Sequence, residues 1–275
     1  MNGPLVGPGG EMRSVASARA FEFLNGWADR IFVVSLLRAA ERRARVRERL
    51  AGLDFRFLDA VDKLDLDRER LRAEGVYDER RTPRAFRHRG EMPLGAIGCS
   101  LSHRRIYEQM VEHGWRRVVV LEDDVIPRED ALTLLPAALE QLPTSFDLCY
   151  LGYLANEIVT PGVRLRRALY VTLAPFGLVR WRLGEALRLL PRPYSANLRR
   201  AGRHLCTHAY AVTLEGARKL VAAQTPVAFN ADQLFTFLVL RGRLDAYVTE
   251  PMFFDQEGLV GIAPGAGAPP SYVHG

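Results

Sequence analysis

Residues 118–124 read Val-Val-Val-Leu-Glu-Asp-Asp. Four consecutive apolar residues, three of them β-branched, make a short strand that must be covered on both faces, as in the parallel sheets of α/β folds. That strand runs straight into Glu122, Asp123 and Asp124. In an open parallel sheet, ligands bind beyond the carboxyl ends of the strands. Three adjacent carboxylates repel one another, and their desolvation is costly unless a cation or hydrogen-bond donors compensate. Oxygen ligands of this kind suit Mg²⁺ or Mn²⁺. The alternative is that the acids cap the next helix or are simply solvated.

The rest of the chain repeats the alternation of strand and helix. Residues 31–36 and 55–58 read as strands, and the charged stretch 38–50 between them as a helix, which together make a βαβ unit. Helices are predicted over 95–113, 131–142, 214–223 and 231–241, and strands over 147–151, 209–212 and 244–248. The pattern predicts an α/β fold with a mainly parallel central sheet and flanking helices. It also predicts a flexible leader over 1–29, one domain over 30–257 and a flexible, Gly/Pro-rich tail over 258–275.

Two known sites also end a strand in acids. A P-loop NTPase needs a Gly-Lys-Ser/Thr phosphate loop, and this chain has no Gly-Lys pair. A receiver domain carries its acid pair after the first strand, whereas these acids follow residue 120. Cys99, Cys149 and Cys206 are too few and too scattered for a disulfide framework or a four-cysteine zinc site, and they fit a reducing cytosol. No apolar run approaches the roughly 18 residues needed to span a bilayer, and the start of the chain lacks the pattern of a signal peptide. A cytoplasmic protein is expected, with peripheral contact at the inner face of the membrane as one reading of its basic segment.

The net charge is +6. Residues 161–203 carry ten arginines and one acid, Glu185. Tyr170, Phe176, Leu178, Trp181 and several further leucines are interleaved with them. A basic amphipathic insert is therefore expected at about 155–203. Its stretch 164–203 reads as an acceptor-binding arm, an interfacial membrane anchor or a pair of surface helices; arginine with tryptophan and leucine suits an anionic lipid surface. No nucleic-acid-binding signature accompanies the charge, and no nucleic-acid partner is expected.

Several stretches, taken in order from Ile31 to Gln256, are similar to glycosyltransferase family 25, the lipooligosaccharide and collagen galactosyltransferase group. They are Ile31-Phe32-Val33-Val34-Ser35-Leu36 with Arg38, Asp59-Ala60-Val61-Asp62, Gly95-Ala96-Ile97-Gly98-Cys99-Ser100-Leu101-Ser102-His103, Val119 through Val125, and Asp147-Leu148-Cys149-Tyr150-Leu151-Gly152. Weaker matches follow at Thr207-His208-Ala209-Tyr210, Gly216-Ala217-Arg218-Lys219-Leu220, Asp232 and Glu250-Pro251. The resemblance implies a GT-A fold, a UDP-sugar donor and transfer, of galactose for example, to a glycan or glycolipid acceptor of the cell envelope with inversion of the anomeric centre. Leu37 stands where an acid usually precedes the arginine, and Lys63 where a glycine usually follows Ala-Val-Asp.

On this reading Asp124 and Glu122 are the ligands of Mn²⁺ or Mg²⁺. Arg38, Asp62, Ser102, His103, Glu122 and Asp123 contact the nucleotide or its phosphates, and His208 is a further metal or phosphate contact. An inverting transfer needs a general base to take the acceptor's proton, and Asp232, at a predicted helix start, is the candidate. Beside each stands a plainer role: a helix-surface arginine for Arg38, a turn-forming aspartate for Asp62, a structural histidine for His103, a helix cap for Asp232. Cys99 is expected to be a small buried residue and not a nucleophile. The rival readings are a non-catalytic relative that binds nucleotide or glycan, and a basic peripheral membrane-binding protein.

Overall fold

The computed structural model describes residues 15–83, 86, 91–156 and 158–258. The first half comprises α1 (Val15–Trp27), β1 (Arg30–Ser35), α2 (Ala40–Arg49), β2 (Arg56–Asp59), α3 (Arg68–Ala73), α4 (Leu94–His113), β3 (Arg117–Glu122), β4 (Val125–Pro127), α5 (Leu135–Glu140) and β5 (Leu148–Leu154). The second comprises α6 (Pro161–Leu173), α7 (Leu183–Leu187), β6 (Arg192–Pro193), β7 (Leu198–Arg200), β8 (Leu205–Thr213), α8 (Leu214–Ala223), α9 (Ala231–Leu240), β9 (Ala246–Thr249) and β10 (Phe254–Gln256).

The main sheet has the order β2-β1-β3-β8-β5-β9-β7-β6. β1 lies parallel to β2 and β3, and β5 to β9. β8 opposes β3 and β5, and β7 opposes β9 and β6. Only β8 and β7 run against the common direction, so the sheet is mainly parallel, as expected for an α/β fold of GT-A type.

Alternation along the central strands explains why they read as continuous apolar runs. Phe32, Val34, Val118, Val120, Tyr210 and Val212 project to one face, where α4, α8 and α9 cover them through residues such as Tyr107, Leu220 and Phe235. Ile31, Val33, Val119, Leu121, Ala209 and Ala211 project to the other, under α1, α2 and α5. With both faces buried, neither parity can be polar.

Glycines set the close approaches. A Cβ on Gly98 would meet the Val61 carbonyl oxygen at 2.6 Å, and one on Gly216 would meet that of Asp147 at 2.3 Å. Lys219, one turn further along α8, donates to both oxygens of the buried Asp147 at 2.7 and 2.8 Å. The Gly-Cys-Ser-Leu-Ser-His and Gly-Ala-Arg-Lys-Leu stretches thus owe part of their pattern to docking α4 and α8 on the sheet.

Three expectations need correction. The leader predicted over 1–29 contains α1, whose Ala20, Phe21 and Leu24 are buried against the sheet. These three residues form a stripe at helical spacing, which the Gly/Pro-rich opening residues had obscured. The helix predicted over 131–142 is a 3₁₀ turn (Leu132–Leu134) followed by the short α5. The insert at 155–203 is not wholly a surface arm: its last part supplies β6 and β7 to the sheet edge, with Leu198 fully buried. Residues 259–275 of the predicted tail lie outside the described residues.

Candidate active site

Glu122 is the last residue of β3. Its Oε1 accepts a hydrogen bond of 2.5 Å from the Thr207 hydroxyl on β8, and His103 Nε2 stands 3.5 Å away. His103 is held from behind: its Nδ1 lies 2.8 Å from the Tyr210 hydroxyl, which in turn lies 2.8 Å from the Tyr107 hydroxyl. This buried chain fixes the imidazole that faces Glu122. Burial pushes the Glu122 carboxyl up, but His103 and Thr207 outweigh it, so the group sits below its ordinary range.

Asp123 turns to the other side. It accepts from Ser35 Oγ at 2.7 Å and from Arg42 Nη1 at 3.2 Å, which joins the end of β3 to the end of β1 and the start of α2. Asp124 accepts from Gln256 Nε2 at 2.8 Å. Gln256 reaches it because β10 pairs antiparallel with β4, placing Gln256 opposite Val125. The other oxygen of Asp124, Oδ1, is buried with no hydrogen-bond partner among the described residues. Burial, and then the neighbouring charge of Glu122, push Asp124 from 3.8 up to about 7.

Arg38 and Asp62 form an ion pair at the carboxyl ends of β1 and β2, and Asp62 also caps the following turn through the Leu64 N–H at 3.1 Å. Ser102 spends both of its hydrogen-bonding capacities on backbone, accepting from Val61 N–H at 2.8 Å and donating to the Gly98 carbonyl at 2.7 Å. It clips α4 to the segment that carries Asp62. It is fully buried, so it positions neighbouring elements, while Arg38 and Arg42 are exposed and Asp62 is half-buried.

Asp232 lies in the first turn of α9 and accepts from the Cys206 N–H at 3.4 Å. Burial is the largest cause that raises its pKa, and Glu122 adds to the rise. Cys206 has φ of +69°, a left-handed conformation uncommon for a residue with a side chain. It sits where β8 begins, so the strand enters the sheet through a kink that aims Thr207 at Glu122 and the Cys206 amide at Asp232.

His208 packs against Gly152, where a Cβ would lie 2.2 Å from His208 Nε2 and 2.4 Å from the Phe254 carbonyl oxygen. Burial holds His208 below its ordinary value despite Glu122, and its buried Nδ1 has no partner among the described residues.

These groups fit a divalent cation. An orphaned, buried carboxylate oxygen on Asp124 beside a second acid is what an oxygen-ligated ion would satisfy. Cys99, His103 and Glu122 also bring one ligand atom each within 4.8 Å of one another. That set is softer, and burial followed by the acids Glu122, Asp232 and Asp124 keeps the Cys99 thiol protonated. Asp124 and Glu122 therefore suit Mn²⁺ or Mg²⁺ better.

The structure thus brings Glu122, Asp123, Asp124, His103 and Asp232 to one end of the sheet, with Arg38 one strand away, after β1, and Asp62 two strands away, after β2. Thr207, Arg42 and Gln256 were not anticipated. Thr207 lay within a stretch already singled out, but nothing local marks Gln256, which arrives through the pairing of two three-residue strands. A family model described as "Glycosyltransferase family 25 (LPS biosynthesis protein)" matches residues 28–235, from before β1 into α9.

The chain belongs to glycosyltransferase family 25.

Curated members agree. A rat protein named "Probable inactive glycosyltransferase 25 family member 3" is 33% identical over 206 residues, 71% of this chain and 30% of its own length. The Drosophila melanogaster "Glycosyltransferase 25 family member" is 33% identical over 204 residues, 71% of this chain and 28% of its own. The human "Inactive glycosyltransferase 25 family member 3" is 32% identical over 206 residues, with 71% and 29% covered. The chain spans less than a third of the length of these relatives. Membership of family 25 supports glycosyl transfer in general, although some of these relatives are named inactive.

Proposed function

We propose that this family 25 chain is a metal-dependent glycosyltransferase that moves a hexose such as galactose from a UDP-sugar to a hydroxyl of a cell-envelope glycan, with inversion at the anomeric carbon. The observation that carries this reading is Asp124: a half-buried carboxylate whose buried Oδ1 has no hydrogen-bond partner among the described residues, beside a second acid at the carboxyl end of a central strand. Asp124 and Glu122 would hold Mn²⁺ or Mg²⁺, which would supply positive charge to stabilise a departing diphosphate. Arg38, Asp62 and Asp123 bind the nucleotide across the ends of β2, β1 and β3, and His103 keeps Glu122 ionised and oriented.

Asp232 takes the acceptor's proton. The hydroxyl oxygen attacks the anomeric carbon from the face opposite UDP, the bond from that carbon to the diphosphate oxygen breaks, and UDP leaves with the electron pair. A raised pKa makes Asp232 a stronger base than an exposed aspartate. None of the described helices is long and apolar enough to cross a membrane. Leu165, Phe176 and Leu178 are each at least 70% exposed among arginines, which suits peripheral contact with an anionic inner membrane face.

The test is release of UDP from a panel of UDP-sugars with Mn²⁺, with and without glycan acceptors. Wild type should turn over at least one donor. Asp232→Asn should lose about 10²-fold or more of the rate while retaining UDP binding. UDP binding without turnover of any donor, in wild type, would favour the non-catalytic reading to which the inactive-named relatives point.

A further inference from the structure

The arginines of the basic segment converge on a cavity. Arg166 and Arg167 from α6, Arg180, and Arg203 just before β8 line a space of about 220 Å³ together with Tyr170 and Trp181. Val163, Arg166, Arg167 and Tyr170 recur at the spacing of one helix face, and all four line it. Leu165 and Leu169 lie on the opposite face of α6 and are exposed. The helix therefore presents Arg166 and Arg167 to a concave wall and Leu165 and Leu169 to the opposite side.

Four guanidinium groups around one small space repel one another unless an anion joins them. Among the described residues, no carboxylate forms an ion pair with Arg166, Arg167, Arg180 or Arg203, although Arg199, Arg200 and Arg241 all have one. Arg167 donates to the Leu187 carbonyl at 2.9 Å, and its Nε is buried with no partner among the described residues. Burial, and then Arg180 close by, hold Arg203 below its ordinary value.

The cavity's place along the sheet edge sets its role. The carboxyl ends of β2, β1 and β3 carry Asp62, Arg38 and the acid triplet. The next strands are β8 and β5, and the cavity sits at their ends on that side. Asn156, two residues beyond β5, lines it and donates to the Arg203 carbonyl at 2.7 Å. Three and four residues after Arg203, the Cys206 amide reaches Asp232 and the Thr207 hydroxyl reaches Glu122. The segment 203–207 thus joins the arginine cavity, which Arg203 lines, to the acid cluster, which Cys206 and Thr207 contact. The nucleotide residues lie on one side of that cluster and the cavity on the other.

We propose that this cavity binds an anionic substituent, a phosphate monoester or carboxylate, carried by the acceptor glycan, so that the enzyme selects acidic acceptors. The proposal rests on the glycosyl-transfer reading for the word acceptor, but the anion site has its own test.

Isothermal titration of the full chain in UDP and Mn²⁺ with glucose 6-phosphate, glucuronate and glucose separates the cases. The acidic sugars should bind and glucose should not. Arg166→Gln/Arg180→Gln, at two exposed positions, should weaken the acidic sugars at least about tenfold and leave UDP binding unchanged. Asp124→Ala should do the reverse; UDP binding that is absent or insensitive to Asp124 refutes the transfer reading while leaving the anion site standing. Equal binding of glucose, or affinity unchanged in the arginine double variant, overturns the proposal. So does arginine-dependent binding to phosphatidylglycerol vesicles without binding of either acidic sugar, which assigns the cavity to lipid headgroups. Displacement of glucose 6-phosphate by excess UDP also overturns it, because the cavity then holds the donor diphosphate.

Discussion

Asp124→Asn isolates the cost of holding a charge at the end of β3. Burial and Glu122 raise this carboxyl from 3.8 to about 7. Between those values the folded chain keeps a proton that the unfolded chain has released, so stability falls as pH rises through the window and is flat above it. At about 1.4 kcal/mol per pH unit the gap amounts to about 4 kcal/mol at pH 8. Asparagine removes that cost and still accepts from Gln256, but it puts an N–H₂ group where the buried Oδ1 has no partner, costing about 1–2 kcal/mol. The metal-free variant should therefore be about 2–3 kcal/mol more stable than wild type at pH 8, a rise in Tm of about 5–10 °C. At pH 4, where both side chains are neutral, it should be slightly less stable. Thermal unfolding in EDTA from pH 4 to 8 measures this, and adding Mn²⁺ should raise the Tm of wild type but not of the variant. A variant no more stable than wild type at pH 8, or one that still responds fully to Mn²⁺, would refute the reasoning.

Other predictions test the framework around the site. Burial pushes His204 down to about 4, with its Nδ1–H donated to the Ala155 carbonyl at 2.9 Å. The unfolded chain therefore binds the extra proton first, and stability should fall by up to about 3 kcal/mol as pH drops from 6.5 to 4; a His204→Asn variant should show a correspondingly flatter urea-denaturation profile over that range. Gly152→Ala should cost about 2–4 kcal/mol, since its Cβ would overlap both His208 and the Phe254 carbonyl; a melting temperature within 2 °C of wild type would show that β10 yields. Lys219→Met leaves the buried Asp147 without its cation and should cost about 2–3 kcal/mol in chemical denaturation.

The apolar runs of β1 and β3 and the acids after β3 were legible because double-faced burial leaves no polar parity in the strand. Gly98 and Gly216 were visible as motif positions, although their reason, backbone approach to Val61 and Asp147, is a tertiary fact. Glu122 and Asp124 were expected from sequence to be the cation pair; Glu122 ends β3 and Asp124 lies in the turn that follows it. What was illegible is what depends on distant pairing. Gln256 meets Asp124 across 132 residues through the β4–β10 ribbon. The partition of Asp123 toward Ser35 and Arg42 follows from how α2 sits over the end of β1. The arginine segment showed its charge in sequence, but not that one face of α6 would fold it inward around a cavity.

The most direct test is calorimetric titration of UDP with and without Mn²⁺, on wild type and on Asp124→Ala. Wild type should bind UDP at least about tenfold more tightly with Mn²⁺, and Asp124→Ala should lose that metal-dependent gain while unfolding cooperatively. UDP affinity that is the same with and without metal, or a metal-dependent gain that survives Asp124→Ala, would contradict the assignment of Glu122-Asp123-Asp124 as the cation and nucleotide site.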